Sequence, residues 1–158
     1  AAEARHRKAA LAALVRLAPA KFDEEFITAL ADTQPGVSKE AGAMLLPRVH
    51  RLESGTLLYL LGPEQPAHVR RNDLKLVLSL DKWVTLPTLI SRSGGDSPFT
   101  AVINNSLEAW LKDTTCRYTR PTAAQLAAAE QALHDGRRIM DSALHGELVS
   151  FFKTMRVP

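Results

Sequence analysis

The stretch DTQPGVSKEA, residues 32–41, decides the fold. An acid, a turn proline and a glycine come first, and a run of helix-forming residues follows. The question is whether this stretch is a loop with its own chemistry or a turn that recurs along the chain. Internal copies decide between the two, because a repeated turn belongs to a repeated structural unit.

The pattern recurs twice downstream and once, in part, upstream. Residues 63–78 (PEQPAHVRRNDLKLVL) and 96–111 (DSPFTAVINNSLEAWL) repeat the turn and the helix, and residues 6–14 (HRKAALAAL) repeat the helical half. Aligning His6, Val37, Val69 and Phe99 as anchors gives spacings of 31, 32 and 30 residues. The stretch is therefore a recurrent turn.

Residues four and eight positions after each anchor share one face of a helix. This face is predicted to pack inward, and Asp73 is its one discordant member. Its members are Ala10 and Leu14, Ala41 and Leu45, Asp73 and Val77, and Ile103 and Leu107.

A shorter apolar segment precedes each complete copy: residues 22–30, 56–61 and 83–90. Neither helix of a copy is long or apolar enough to be stable alone, so the two are predicted to pair antiparallel and to stack on their neighbours. A period near 31 residues with two helices is typical of an α-solenoid. The expected fold is all-α, a single domain over residues 1–158 with repeat helices at about 1–18, 20–52, 54–80 and 81–112.

The C-terminal residues predict a closing helical pair over 121–155, with helices at 122–134 and 139–155. Met140, Leu144, Leu148, Phe151 and Met155 form an apolar stripe on the final helix. A wetter outer face on such a pair would cap the array. The first helix lacks a partner upstream, so we expect the sequence to be a fragment of a longer chain.

Composition supports a helical, non-membrane chain. The 158 residues are 46% hydrophobic but only 6% aromatic, and alanine and leucine favour helices. The single cysteine, Cys116, excludes an internal disulfide framework and predicts a reducing compartment, the cytoplasm. Residues 1–20 have some features of a secretory signal, but Arg16 interrupts the apolar run, so a helix is the better interpretation. The net charge of +3 is mildly basic.

The repeats resemble HEAT repeats, in which a turn with an acid or proline leads into a second helix that opens with Val-Arg. EEFITALADTQPGVSKEAGAML resembles that motif closely, Val69–Arg70 supplies the pair, and LPTLI resembles a proline-bearing first helix. The resemblance implies a ladder between turn acids and arginines six residues later. Glu64 and Arg70 keep that spacing, whereas Asp32 faces Ser38, so the ladder is expected to be incomplete.

The C-terminal half is similar to the closing region of long bacterial HEAT-repeat proteins. Trp83 opens one helix, Trp110 and Leu111 end the next, and a linker leads to the final pair. The resemblance implies a fold and almost nothing about activity, because function depends on sites rather than on folds.

Residues with chemical potential do not form a recognisable site in the sequence. The five histidines are dispersed, Cys116 lacks a placed base, and SRSGGDSP (91–98) lacks a phosphate-loop frame. Trp83 and Trp110 recur at helix positions and are predicted to pack, and Asp23, Glu24 and Glu25 complement a helix dipole. No catalytic residue, cofactor or metal is predicted, and the protein is not expected to be an enzyme.

The basic clusters are the best candidate site. Arg5, Arg7 and Lys8 form one cluster, Arg48 and Arg51 another, and the candidate partner-binding residues are His68, Arg70, Arg71 and Lys75. If the second helices line one face, these charges could bind phosphates or acidic protein surfaces. The alternative is that Arg70 belongs to the ladder and the other charges coat a solvated face.

The expected function is a non-catalytic scaffold that binds a protein partner, or other domains of its parent chain, along a curved surface. The alternative is a nucleic-acid-binding HEAT module with its arginines gathered on one face. A HEAT-type base-excising glycosylase would need an acid and aromatic residues in a basic cleft, and no such trio can be placed.

Overall fold

The described part of the chain is helical and divides into two compact units. The structure, a computed structural model, describes residues 2–17, 22–94, 98–113 and 120–155. Within these ranges the regular structure is helical and contains no strand, so the all-α prediction is confirmed. The residues form two compact units, Ala1–Leu80 and Asp81–Pro158, whereas the prediction of one domain over the whole chain stays a prediction.

Among the described residues, the first unit contains five α-helices and a 3-10 helix. The α-helices are α1 (Ala2–Leu17), α2 (Asp23–Leu30), α3 (Pro35–Leu45), α4 (Ser54–Leu60) and α5 (Ala67–Val77), and the 3-10 helix is Leu46–Arg51. Pro35 opens α3, where its missing N–H costs no hydrogen bond, and Asp32 Oδ1 accepts from the Gln34 N–H at 2.7 Å. The turn quoted above is therefore a helix entry, as predicted.

Packing in the first unit pairs α2 with α3 and α4 with α5, and it joins α3 to α1 and α5. α2 packs on α3, and α4 packs on α5, across the short turns that join them. α3 also packs on α1 and on α5. The side chains of Val37, Ala41, Leu45, Val69 and Val77 are buried, which confirms the predicted inward face for α3 and α5.

α1 departs from the predicted pattern. Its buried residue is Leu11, whereas His6 and Ala10 are exposed and Leu14 is half-buried. The predicted inward face of α1 is therefore wrong at His6 and Ala10. Burial on this helix follows its contact with α3, and alignment with the other copies does not reveal that contact.

The second unit contains α6 (Lys82–Ser91), α7 (Pro98–Lys112), α8 (Ala123–Gly136) and α9 (Ser142–Met155). α6 packs mainly on α8 and only slightly on α7, the partner predicted for it from the repeat pattern, whereas α9 packs on α7 and contacts α8. Trp83 is buried and meets Trp110 edge-on, with ring centroids 5.5 Å apart. Phe151 and Phe152 of α9 complete this aromatic cluster, so the packing role predicted for both tryptophans is confirmed.

The final helix begins later than predicted and uses a shifted apolar stripe. Asp141 Oδ1 accepts from the backbone N–H groups of Ala143 and Leu144, so α9 starts at Ser142 instead of residue 139. Leu144, Leu148 and Phe152 are its buried residues, in steps of four. Phe151 and Met155 are half-buried, and Met140 is buried but precedes the helix.

Candidate partner-binding site

The four predicted partner-binding residues all lie on α5 but differ in their surroundings. His68 is half-buried, and its Nε2–H donates to the Asp32 carbonyl oxygen at 2.9 Å. Arg70 is also half-buried. Arg71 and Lys75 are exposed and lie one helical turn apart on the same side of α5. The structure therefore leaves Arg71 and Lys75 open to a partner and ties His68 to the preceding turn.

Arg7 links α1 to the turn before α3. Its Nε lies 3.0 Å from Asp32 Oδ2 and its Nη2 lies 3.3 Å from Asp32 Oδ1, a bidentate pair. Arg7 Nη1 also lies 2.8 Å from Glu3 Oε1 on its own helix. Arg7 follows the anchor His6 as Arg70 follows Val69, so Asp32 pairs with the ladder position of the preceding copy.

The ladder is incomplete at the next copy. Ser38 occupies the arginine position and is buried, and its Oγ accepts from Asn72 Nδ2 at 2.9 Å. Glu64 is the turn acid of the copy that follows Ser38. It forms no ion pair within the described residues, and its carboxylate lies over Gly62. Ser38 therefore links α3 to α5 by a neutral hydrogen bond, instead of the ion pair that an arginine at this position could form with Glu64.

Arg48 belongs to the fold rather than to an open basic cluster. Its Nη1 lies 3.3 Å from Asp23 Oδ1, and its Nε–H donates to the Met44 carbonyl at 3.1 Å. Its guanidinium also lies over the ring of Phe26, 4.7 Å from the centroid. With Arg7 and Arg48 engaged in this way, the predicted basic clusters are not uniformly available to a ligand.

Three exposed cations occupy the same position in successive copies. Lys8, Lys39 and Arg71 each lie two residues after an anchor, on α1, α3 and α5, and all three are exposed. None of them forms an ion pair with another described residue. We call these three residues the basic row. Lys39 was missing from the predicted clusters. Its position two residues after the anchor Val37, the same as that of Lys8 after His6 and Arg71 after Val69, is the sequence signal that identifies it.

Charge is divided between the two sets of helices in the first unit. α2 and α4 contain no lysine or arginine, and α2 opens with Asp23, Glu24 and Glu25. α1, α3 and α5 carry the basic row together with Arg5, Arg7, Arg70 and Lys75. An acidic ligand is therefore attracted to the side of the unit that presents α1, α3 and α5.

Asp73 is the unusual buried group of this unit. Asp73 lies on α5 with its side chain fully buried, and neither carboxylate oxygen has a hydrogen-bond partner among the described residues. Burial disfavours the charged form and raises the pKa of Asp73 to about 8. At neutral pH the group is mostly protonated, so it does not offset the positive charge of the basic row.

Other candidate chemistry gains no support from the described residues. They contain no group of three or more His, Cys, Asp or Glu side chains arranged to hold a metal ion. Cys116 and residues 95–97 of the glycine-serine stretch lie outside the described ranges. Among the described helices, none is both long and apolar enough to cross a membrane.

The chain matches no protein-family model, no curated protein and no solved structure.

Proposed function

We propose that the chain is a HEAT-like α-solenoid segment that acts as a non-catalytic, cytoplasmic scaffold. It binds a protein partner, or other domains of its parent chain, through α1, α3 and α5. In this arrangement α2–α3 and α4–α5 are two repeats, α1 is the second helix of the preceding repeat, and α8–α9 is the closing pair.

Polar contacts between successive copies support the solenoid. Arg7 and Ser38 each follow an anchor, and they bind residues of the next copy, Asp32 and Asn72 respectively. His68 likewise reaches back to the turn of the preceding copy. A stack of similar repeats requires that each copy contact the next one along the chain.

The observation that carries the scaffold proposal is the basic row. Charged residues at one position of each repeat add nothing to the core, because all three are exposed. A row of like charges without partners destabilises the isolated unit slightly and is neutralised when an acidic surface binds. The row therefore favours a role in binding over a role in folding.

The same row supports a second candidate, a nucleic-acid-binding module. Phosphates would be attracted to it, and binding would weaken steeply with salt. α1, α3 and α5 contain no Phe, Trp or Tyr, however, so these helices offer no aromatic platform on which the bases of a single strand could stack. We therefore place the protein scaffold first.

Site-specific photo-crosslinking in the source cells tests the scaffold. A crosslinking amino acid at Lys75 on α5 is expected to capture a discrete protein, and the same group at Glu24 on the acidic helix α2 serves as the matched control. Capture at Lys75 alone supports the proposal. No adduct at either position, or equal adducts at both, contradicts a scaffold that binds through α1, α3 and α5.

An anisotropy titration against duplex DNA and single-stranded RNA tests the second candidate. When salt is raised from about 50 to about 200 mM, binding through three phosphate contacts is expected to weaken more than about tenfold. Micromolar binding that collapses with salt, and that Arg71→Glu weakens further, would replace the protein scaffold with the nucleic-acid module.

A further inference from the structure

A cavity of about 560 Å³ opens between α8 and α9 in the second unit. Its lining residues recur with the period of an α-helix, from Glu130 to Arg137 on the α8 side and from His145 to Lys153 on α9, so one face of each helix forms a wall. α8 packs mainly on α6 and makes fewer contacts with α9, which leaves this space between them. Small-molecule sites measure about 300–1,000 Å³, so the cavity has the size of such a site.

The floor of the cavity is apolar. Leu133 and Phe152 are buried, and Val149 is half-buried beside them on the same lining. An apolar group placed on this floor would lose its contact with water, and that loss is the main source of affinity for a small ligand. From residue 145 to residue 153 the helix rises about 12 Å, so the lining can accommodate a medium-length alkyl chain.

The rim of the cavity is cationic. Arg137 and Lys153 are exposed, and neither forms an ion pair with another described residue. Glu130 is the acid of the same lining. With histidines counted as neutral, two cations and one acid give the described lining a net charge of +1. A ligand that neutralises this charge carries a single negative charge.

One end of the cavity suits the charged group of such a ligand. His134 lies in the last turn of α8, Arg137 directly follows that helix, and His145 lies in the first turn of α9. Residues 137–141 join the two helices, so the three side chains line the cavity at the same end. A guanidinium binds a carboxylate through two parallel hydrogen bonds, and an imidazole N–H offers a further donor. A carboxylate bound there would leave its apolar body over the floor.

A larger cavity on the opposite face of α9 lacks this charge pattern. It measures about 950 Å³, and its lining includes Ser150 and Phe151. Among its described lining residues the charged ones are Arg120 and Glu147, whose charges cancel. Charge therefore favours the α8–α9 cavity for an anion, although that cavity is smaller.

We infer that the cavity between α8 and α9 binds a small amphipathic carboxylate, with its charged group at Arg137 and its alkyl or aryl body on the floor formed by Leu133, Val149 and Phe152. The inference is independent of the proposed scaffold, because the cavity lies in the second unit and the basic row lies in the first.

An NMR titration of the full 158-residue chain with octanoate tests the inference. Octanoate is expected to bind with a dissociation constant below about 1 mM, with its largest shifts in α8 and α9. Octanamide has a neutral head group of similar shape. It is expected to bind about fivefold more weakly, because it loses the charge-assisted hydrogen bonds to an exposed guanidinium.

Arg137→Gln tests the charged end of the site. It is expected to weaken octanoate about fivefold and to leave octanamide unchanged. Arg138→Gln makes the same change at the next residue, which is exposed and does not line the cavity, so it is expected to leave the affinity for octanoate unchanged.

Gly146→Leu tests the cavity itself. Gly146 lines it, and a Cβ added at this glycine would meet no atom within 4 Å, so the leucine enters open space instead of the core. Leucine also favours a helix over glycine, so the variant is expected to keep or raise its urea midpoint while octanoate binding weakens about tenfold or more. Gly146 lines the larger cavity as well. Ser150→Leu, which narrows the larger cavity alone, is therefore the matched control and is expected to leave binding unchanged.

Four results would overturn the inference. Equal affinities for octanoate and octanamide would mean that the cationic rim does not select the ligand. Weaker binding in Ser150→Leu but not in Arg137→Gln would place the ligand in the larger cavity. Binding of octyl phosphate about tenfold or more tightly than octanoate would make the cavity a phosphate site. Shifts spread over both units, or none in α8 and α9 at about 10 mM octanoate, would mean that the cavity does not bind carboxylates.

Discussion

At the scale of single residues, Asp73 is the position where the repeat pattern conflicts with the chemistry of the side chain. The equivalent positions of the adjacent copies are Ala10 and Ala41, and Ala41 is buried like Asp73. A carboxyl group in the core without a partner is tolerated only because it can remain protonated. Its folded-state pKa of about 8 then makes stability depend on pH.

Stability is expected to fall as pH rises from about 4 to about 8. The folded state retains a proton over this window that the unfolded state, with a pKa of 3.8, has already released. Each pH unit within the window costs up to about 1.4 kcal/mol, and the contribution is fully present only below the unfolded pKa. Asp73→Ala is expected to remove this dependence and to stabilise the first unit at pH 8.

Urea denaturation followed by circular dichroism at pH 6 and pH 8.5 measures the effect. The difference between the wild type and Asp73→Ala isolates Asp73 from the other titrating groups. Glu147→Ala provides a carboxylate control in the second unit, where the acid is exposed. An identical pH dependence in the wild type and Asp73→Ala would show that the buried carboxyl group is not the source.

The Arg7–Asp32 pair is expected to stabilise the first unit by about 1 kcal/mol. The pair is bidentate, but the Arg7 side chain is 37% exposed, so solvent screens part of the attraction. Arg7→Gln should lower the free energy of unfolding by that amount, whereas Arg5→Gln on the same helix should not. If a double-mutant cycle with Asp32→Asn gave no coupling energy, the contact between Arg7 and Asp32 would not contribute to the free energy of unfolding of the first unit.

At the scale of helices, caps decide boundaries that periodicity leaves open. Asp81 Oδ1 accepts from the N–H groups of Trp83 at 2.9 Å and Val84 at 3.2 Å, and this fixes the start of α6. Thr122 and Gln125 form a reciprocal capping box at the start of α8. These side chains satisfy N–H groups that have no partner within the helix.

Removing the α6 cap is expected to cost about 1 kcal/mol. Asp81→Ala leaves two backbone N–H groups without their acceptor, whereas Asp81→Ser retains an oxygen at the cap position. Urea denaturation should therefore show a loss in the alanine variant and near recovery in the serine variant. Equal losses in both variants would mean that Asp81 acts through its charge rather than through capping.

Helices and core positions were predictable from the sequence, but contacts between distant side chains were not. Val37 and Val69 repeat with the turn pattern, so their burial followed from spacing. Arg48 is engaged by Asp23 and Phe26, which are more than 20 residues away in sequence, and no local pattern predicts those contacts. Lys39 was overlooked for a different reason: it stands alone in sequence and becomes part of a row only when copies are stacked.

At the scale of the whole molecule, exposed acids limit how strongly the basic row attracts a ligand. Glu40 follows Lys39 in sequence and is exposed on the same helix. Glu40→Gln is expected to strengthen binding of an oligoglutamate peptide to the basic row about twofold to threefold, because it removes a nearby repulsive charge. The measurement is an NMR titration of the 158-residue chain with this peptide at low salt.

Glu24→Gln makes the same change in net charge on α2 and serves as the control. It is expected to leave the peptide affinity unchanged, since α2 carries no residue of the basic row. Equal strengthening by both variants would mean that net charge, rather than the position of Glu40, governs the attraction.

The contact between Trp83 and Trp110 provides an intrinsic fluorescence probe of unfolding in the second unit. Both tryptophans of the chain lie in the second unit, whereas the first unit has none. Emission excited at the red edge of indole absorption therefore follows the second unit alone, while far-ultraviolet ellipticity sums the helices of both. Superimposable melting curves from the two signals would mean that the halves unfold as one, and separated curves would give each half its own midpoint without any label.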